Sequence, residues 1–325
     1  MYKGIDAVLG AASGRFFGDG HRQVSHAVRD IVVGRDEDGH GWISASAGVH
    51  YPSNWSVKTS DHELRPHLST IDAVVLAACL AECYLAHHRS LSEAQRRRAW
   101  LRSIQIKAGA TPQEELAGFA IHAQVLGLQS SVTALGGHAT TMDCGIGPMK
   151  VRCEIEHEPG SVNDAAAVYA DLDEVLGQGG ARYYGGGYRL TRRDIEDLRL
   201  QPDDVTAVAT IAISEPSPAE CGLEADYRPS MSGIDGIVVA GQMTQALLYQ
   251  LDGVARGATG TLWMRRVAFQ SATPHQPVLN PFLARMAATK NQVIERAGSR
   301  WRAVDLKTQM LGASGEFSVA HALPN

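Results

Sequence analysis

Two stretches of the chain are apolar almost without a break, and each has the length of a helix. From Ala73 to Ala81 no polar side chain intervenes, and Ser69 stands where an N-cap belongs. The spacing predicts a helix over 71–87 and a second over 234–251, the latter behind Ser232. Both are too apolar for a surface helix, so each must be wrapped on most sides. Around them lie segments with the two-residue alternation of a strand. Over 149–156, Val151, Cys153 and Ile155 face one way, and Arg152, Glu154 and Glu156 the other. Strands are expected at 31–33, 42–49, 101–107, 119–126, 130–138 and 149–156, then at 204–214, 262–270, 299–305 and 316–319. The link over 159–170 runs into a short helix expected at 169–172.

The order of elements repeats because the sequence repeats. RFFGDGHR at 15–22 returns as RYYGGGYR, 167 positions later. RPHLSTIDAVVLAA at 65–78 returns as RPSMSGIDGIVVAG, 163 positions later. Trp100-Leu101-Arg102 returns as Trp263-Met264-Arg265, and Ala110-Thr111-Pro112 as Ala272-Thr273-Pro274. This period is far longer than that of a solenoid. It divides the chain into domain-sized units, 1–160 and 161–325. One buried helix followed by about four strands, twice, is an α+β pattern. A parallel doubly wound sheet needs crossover helices that are missing. The pattern fits a tandem (double) hotdog, in which each half is a long central apolar helix wrapped by a curved antiparallel sheet. Edge-to-edge joining of the two sheets would remove exposed strands.

Composition narrows the field. The 325 residues are 44% hydrophobic, as in a globular chain. The formal charge of −5 gives no global attraction to nucleic acid. The basic run Arg96-Arg97-Arg98 reads as a solvated helix end ahead of a strand. Neither a signal peptide nor an apolar run long enough to span a bilayer is found, so a cytoplasmic protein without a membrane span is expected. Five cysteines without a CxxC pair read as buried small hydrophobes. No histidine or cysteine spacing suits a metal, and no nucleotide fingerprint or GxSxG occurs. No tightly bound cofactor is expected.

The residues that invite chemistry cluster where each helix starts. Arg65-Pro66-His67 precedes Ser69 and Asp72, and Arg228-Pro229 precedes Ser232 and Asp235. Two accounts of the aspartates stand side by side. They cap the helices from the capping-box position, or, paired with the upstream arginines, they are functional. His67 breaks the repeat, its counterpart being Ser230. Tyr51, Asn54 and Lys58 are suited to binding hydroxyls or a carbonyl, and Trp55 to packing or to lining a site. The RFFGDGHR and RYYGGGYR blocks read first as aromatic anchors under a glycine turn, although Arg15, Arg22, Arg182 and Arg189 are able to hold an anion.

RFFGDGHRQVSH at 15–26, HYPSNWSVK at 50–58, RPHLSTIDAVVLA at 65–77, IKAGATPQEEL at 106–116 and KVRCEIEHE at 150–158 resemble the bacterial avirulence D proteins, along nearly the whole chain. The resemblance implies an enzyme of bacterial secondary metabolism that directs formation of syringolides, acylated sugar-derived lactones perceived by plants as elicitors. It implies joining a β-ketoacyl (3-oxoacyl) thioester to a keto-sugar or polyol such as xylulose, then condensation toward a butenolide. A more distant similarity is to the A-factor (γ-butyrolactone) synthases, which are hotdog proteins acylating a three-carbon sugar phosphate. Hotdog dehydratases carry an acid and then a glutamine on the central helix. Here Gly241 falls at the acid position and Gln245 at the glutamine; in the first copy these are Ala78 and Glu82.

The expected reaction is therefore acyl transfer, with His67 as base, Asp72 or Asp235 orienting the hydroxyl, and Arg65 or Arg228 holding a carboxylate or phosphate. The donor rides on coenzyme A or an acyl carrier protein. A single dominant site is expected, built by the His67 loop and closed by Asp235 and Arg228. A dehydratase or hydratase of acyl thioesters and a non-catalytic lactone- or acyl-binding protein remain as alternatives, and monomer and homodimer are equally open.

Overall fold

The computed structural model describes residues 1–57, 65–131, 137–258, 262–296 and 298–323. The first half contains β1 (Tyr2–Gly4), α1 (Asp6–Leu9), β2 (Ser25–Arg35), β3 (Gly41–His50), α2 (Thr70–His87), α3 (Glu93–Arg98), β4 (Trp100–Lys107), β5 (Phe119–Ser130), β6 (His138–Ile146) and β7 (Met149–His157). The second contains β8 (Ala167–Asp171), α4 (Leu172–Leu176), β9 (Arg192–Gln201), β10 (Thr206–Ser214), α5 (Gly233–Leu251), β11 (Trp263–Ser271), β12 (Phe282–Arg296), β13 (Ser299–Met310) and β14 (Ala313–Ala322). Apart from α3, the two series match element for element.

The strands form one 14-stranded antiparallel sheet in the order β1-β9-β10-β12-β13-β14-β11-β4-β7-β6-β5-β3-β2-β8. The duplication makes this order symmetric about the β11–β4 joint. There Gln105 pairs with Ala268, its own counterpart 163 positions on. A pseudo-two-fold axis thus passes through the joint, and each half covers the other's open edge.

Each half wraps its sheet around one helix. Ser69 and Ser232 close capping boxes: each hydroxyl accepts the N–H three residues on at 3.2 Å, and Asp72 or Asp235 accepts the serine N–H at 2.7 Å. Every residue of α2 except Ala86 is buried. By length and apolarity α2 resembles a membrane span, yet it lies enclosed in the protein. The molecule is a tandem hotdog.

The two halves also trade their leading segments. β1 pairs with β9, in the sheet of the second half, and Tyr2 Oη donates to Gln250 Oε1 at 2.7 Å. Reciprocally, β8 pairs with β2 in the first half's sheet, and α4 packs on α2. Residues 167–171 therefore lie beyond the repeat boundary at 160 yet complete the first sheet.

Some expectations are corrected. The strand expected over 130–138 is displaced to His138–Ile146, while residues 132–136 lie outside the described residues. Tyr169 sits in β8, and the helix follows it. The arginine run does end a helix before a strand, but it is not solvated throughout. Arg96 is buried, with Nε 3.5 Å from Glu82 Oε1, while Arg97 and Arg98 pair with Asp226 and Glu158.

Candidate functional site

A cavity of about 670 Å³ opens at the start of α2. Its inner wall is apolar, with Phe16, Phe17, Leu68 and Met264 among its lining residues. The second half contributes Gln245 and Tyr249 from α5, Trp263 and Met264 from β11, and residues of β12, β13 and β14. The site is therefore shared between the halves, as a duplicated scaffold permits.

The helix start brings polarity into this apolar space. The capping box satisfies the Asp72 N–H, but Thr70 and Ile71 lie in the first turn and have no intrahelical acceptor for theirs. Thr70 lines the cavity. Free N–H groups and the positive end of an 18-residue helix favour a negative oxygen there.

His67 stands on the wall beside them. Its Nδ1 lies 3.1 Å from the Arg65 carbonyl oxygen. A carbonyl only accepts, so Nδ1 carries the hydrogen and the neutral ring keeps its lone pair on Nε2. The ring centroid is 5.2 Å from that of Trp263 and 6.2 Å from that of Trp55. These indoles fix the imidazole plane from two sides. Trp55 is both buried and part of the cavity lining.

Asp72 lies beneath the cavity, not in its wall. Only 1% exposed, it accepts from His26 Nε2 at 2.8 Å through Oδ1, and from Tyr51 Oη and the Ser69 N–H through Oδ2. Burial pushes its carboxyl upward, but the bonds from His26, Tyr51 and Ser69 outweigh burial and hold it below the ordinary value. Tyr51 is correspondingly pushed well up, by burial and then by Asp72. His26 was not singled out by sequence reasoning. The signal was available, because the 167-residue offset aligns it with Arg193, which grips Asp235 in the same way.

The second helix start is built from the same positions and is shut. Arg193 Nε donates to Asp235 Oδ1 at 2.7 Å. Arg228 Nε donates to Glu215 Oε2 at 2.8 Å, and its guanidinium sits 4.2 Å over the Tyr183 ring. Tyr183 Oη and Ser232 Oγ share a hydrogen bond of 2.7 Å, and Tyr184 Oη donates to Glu224 at 3.1 Å. What remains open is about 10 Å³. In the first copy Phe16 and Phe17 replace the two tyrosines, and Tyr51 replaces Glu215. Loss of two hydroxyls and one ion pair accompanies the open cavity.

The structure thus separates residues that the sequence had placed together. Asp235 and Arg228 do not line the cavity of His67; they seal the other helix start. The cavity is closed instead by the distal part of α5. Arg65 is exposed, 3.7 Å from Glu114, and Asn54 is exposed outside the lining. Lys58 lies outside the described residues. Gln245 lines the cavity. At Gly241 the ring of Phe17 comes so close that a Cβ would stand 3.1 Å from it.

Among solved structures, the chain is similar to a hot dog fold protein of unknown function from Alicyclobacillus acidocaldarius. The identity is 10%, over 89% of this chain and 96% of that one, with a TM-score of 0.40. It is also similar to a putative thioesterase from Novosphingobium aromaticivorans, at 10% identity over 93% and 95% of the chains and a TM-score of 0.37. GphF Dehydratase 1 is similar at 12% identity over 92% and 100%, with a TM-score of 0.38. No curated protein matches the sequence. The profile of the Pseudomonas avirulence D protein (AvrD) matches residues 1–324, and the chain belongs to that family.

Proposed function

We propose that this protein is an enzyme of acyl thioesters that transfers a 3-oxoacyl group to a hydroxyl of a keto-sugar or polyol such as xylulose. The observation that carries this reading is the meeting of an apolar cavity, the open start of α2 and the Nε2 lone pair of His67. The acyl chain lies against Phe16, Phe17 and Leu68, with its thioester carbonyl toward the Thr70 and Ile71 N–H groups. The sugar oxygen attacks the carbonyl carbon while His67 Nε2 takes its proton. The oxyanion faces the helix start. On collapse the C–S bond breaks, and the thiolate takes the proton from His67. The ester then condenses by attack of its acidic C2 on the sugar ketone, and loss of water gives a butenolide of the syringolide type.

Asp72 acts through other groups. With Tyr51 and His26 it holds Ser69, and so the helix start, in place. Gln245 is a candidate to bind the acceptor. The donor is carried on coenzyme A or an acyl carrier protein.

Transfer is favoured over dehydration by Phe17, which occupies the space beside Gly241 where the dehydratase acid is expected. Asp235 does not replace that acid, being fully buried against Arg193. The test is incubation with a 3-oxoacyl thioester and xylulose, followed by mass spectrometry. An ester or lactone is expected. Release of free acid alone, or of an enoyl thioester from a 3-hydroxyacyl substrate, would overturn the proposal.

A further inference from the structure

The outer wall of the cavity is the β12–β13 hairpin, and one of its faces carries charge. Lys290, Gln292, Ile294 and Arg296 all line the cavity, at the two-residue spacing that puts side chains on one face of a strand. Their partners on β13 are Asp305, Ala303, Trp301 and Ser299. Lys290 and Arg296 are exposed, and among the described residues neither has an ion-pair partner. Six residues apart on an extended strand, they are separated by about 20 Å.

The duplicate hairpin shows that this charge is not part of the scaffold. β5–β6 has its register shift between Val125 and Gly127, and β12–β13 between Ala288 and Lys290. The matching shifts align Lys290 with Gly127 and Gln292 with Gln129. The described part of β5 carries no Lys or Arg, so the cation at Lys290 has no equivalent on the duplicate strand. Both cations stand at the outer wall, away from the helix start, where a phosphate at the far end of a reactant would lie; either one is able to hold a single phosphate.

We infer that Lys290 and Arg296 form a phosphate-recognition face, which holds a phosphate-bearing reactant while its reactive end reaches the start of α2. This rests on the acyl-transfer reading above. The phosphate belongs either to the coenzyme A donor or to a sugar-phosphate acceptor, and the two are separable by experiment.

Binding is measured by calorimetry for four probes: coenzyme A, pantetheine, xylulose 5-phosphate and xylulose. The wild type is compared with the double variant Lys290→Gln/Arg296→Gln. At least one phosphorylated probe is expected to bind roughly tenfold or more tightly than its phosphate-free partner, and the double variant to lose that preference. Preference within the pantetheine pair assigns the phosphate to the donor; preference within the xylulose pair assigns it to the acceptor. A wild type that distinguishes neither pair, or a variant that keeps the preference, overturns the inference. Transfer from an N-acetylcysteamine thioester to xylulose, which involves no phosphate, tests the underlying reaction separately. It is run on the wild type, and its presence without any phosphate preference would sink the inference alone.

Discussion

Arg193 Nη1 lies 3.1 Å from His21 Nε2, across the boundary between the two halves of the chain. His21 Nδ1 lies 3.1 Å from the Phe16 carbonyl oxygen, which only accepts. The ring therefore donates through Nδ1 and accepts the guanidinium N–H through Nε2, and only neutral imidazole does both. The same guanidinium grips Asp235, so one histidine turn of the first half is locked to the helix start of the second. Burial, then the Arg193 charge, pulls His21 down to about 3. His157 is held in the same manner. Its Nδ1 lies 2.6 Å from the Glu158 carbonyl and its Nε2 2.7 Å from Thr140 Oγ1, and burial takes it to about 4.

These neutral histidines predict an acid-sensitive fold. Both folded values lie below the ordinary 6.5, so the unfolded chain binds protons first as pH falls. The stability they contribute is present above about pH 6.5 and is lost on acidification toward 4 and 3, at up to about 1.4 kcal/mol per pH unit for each group. Glu224 works in the opposite direction. Burial raises it to about 7 from 4.5, so its contribution is lost as pH rises through 7. Urea unfolding between pH 7 and 4.5 should show a midpoint that drops with pH, and His157→Gln should flatten the slope. An unchanged slope in that variant would refute the assignment.

The two capping aspartates should differ in cost. Asp235→Asn leaves the buried Arg193 guanidinium without its carboxylate, a loss of about 3–5 kcal/mol. Asp72→Asn weakens hydrogen bonds from His26, Tyr51 and Ser69 but strands no buried guanidinium, so the cost should be nearer about 1–2 kcal/mol. Thermal and urea melting of the two variants check the ranking.

His67 and Ser230 occupy the same position of the repeat and should fail in different assays. His67→Ala should lower kcat roughly 10²- to 10⁴-fold with little change in melting. Ser230 is buried, and its Oγ accepts the Gln276 N–H at 3.2 Å. Ser230→Ala should cost about 1 kcal/mol of stability and leave kcat near wild type. Equal losses of kcat would remove the chemistry from the first helix start.

Gly241→Ala places a methyl group against Phe17, at 3.1 Å from its ring. The expected cost is about 1–3 kcal/mol, because the interior is already filled there. Phe17→Leu in the same chain should recover part of it. No recovery in melting temperature would show that the strain lies elsewhere.

The sequence disclosed the architecture more fully than the site. The runs beginning at Ile71 and Ile234 are apolar on all sides, which forces enclosure, and the repeats fix two such units. The outer part of β12 was not legible, because Lys290 to Arg296 are exposed on both faces and no buried side imposes alternation. The crossing of β1 and β8 was hidden for a different reason. A two-residue period says which side of a strand is buried, never which strand lies beside it. At the site, Arg-Pro before each helix looked equivalent in both copies. Their fates diverge because Glu215 and Tyr183 capture Arg228, whereas Tyr51 and Phe16 offer Arg65 no such hold. The cavity depends on that side-chain exchange, which becomes readable only when the copies are superposed.

The crossed leading strands impose an order on synthesis. Tyr2–Gly4 is made long before its partner β9, Arg192–Gln201, so it must wait for nearly 200 further residues before it pairs. The first half, for its part, leaves the edge of β2 uncovered until Ala167–Asp171 emerges. Neither sheet is finished until both halves exist. A chain containing one half alone would meet the same need by exchanging its leading strand with a second copy of itself, as in a domain-swapped dimer. The tandem protein has the form of such a dimer whose subunits have been joined end to end, which ties assembly to translation and leaves the two helix starts free to diverge.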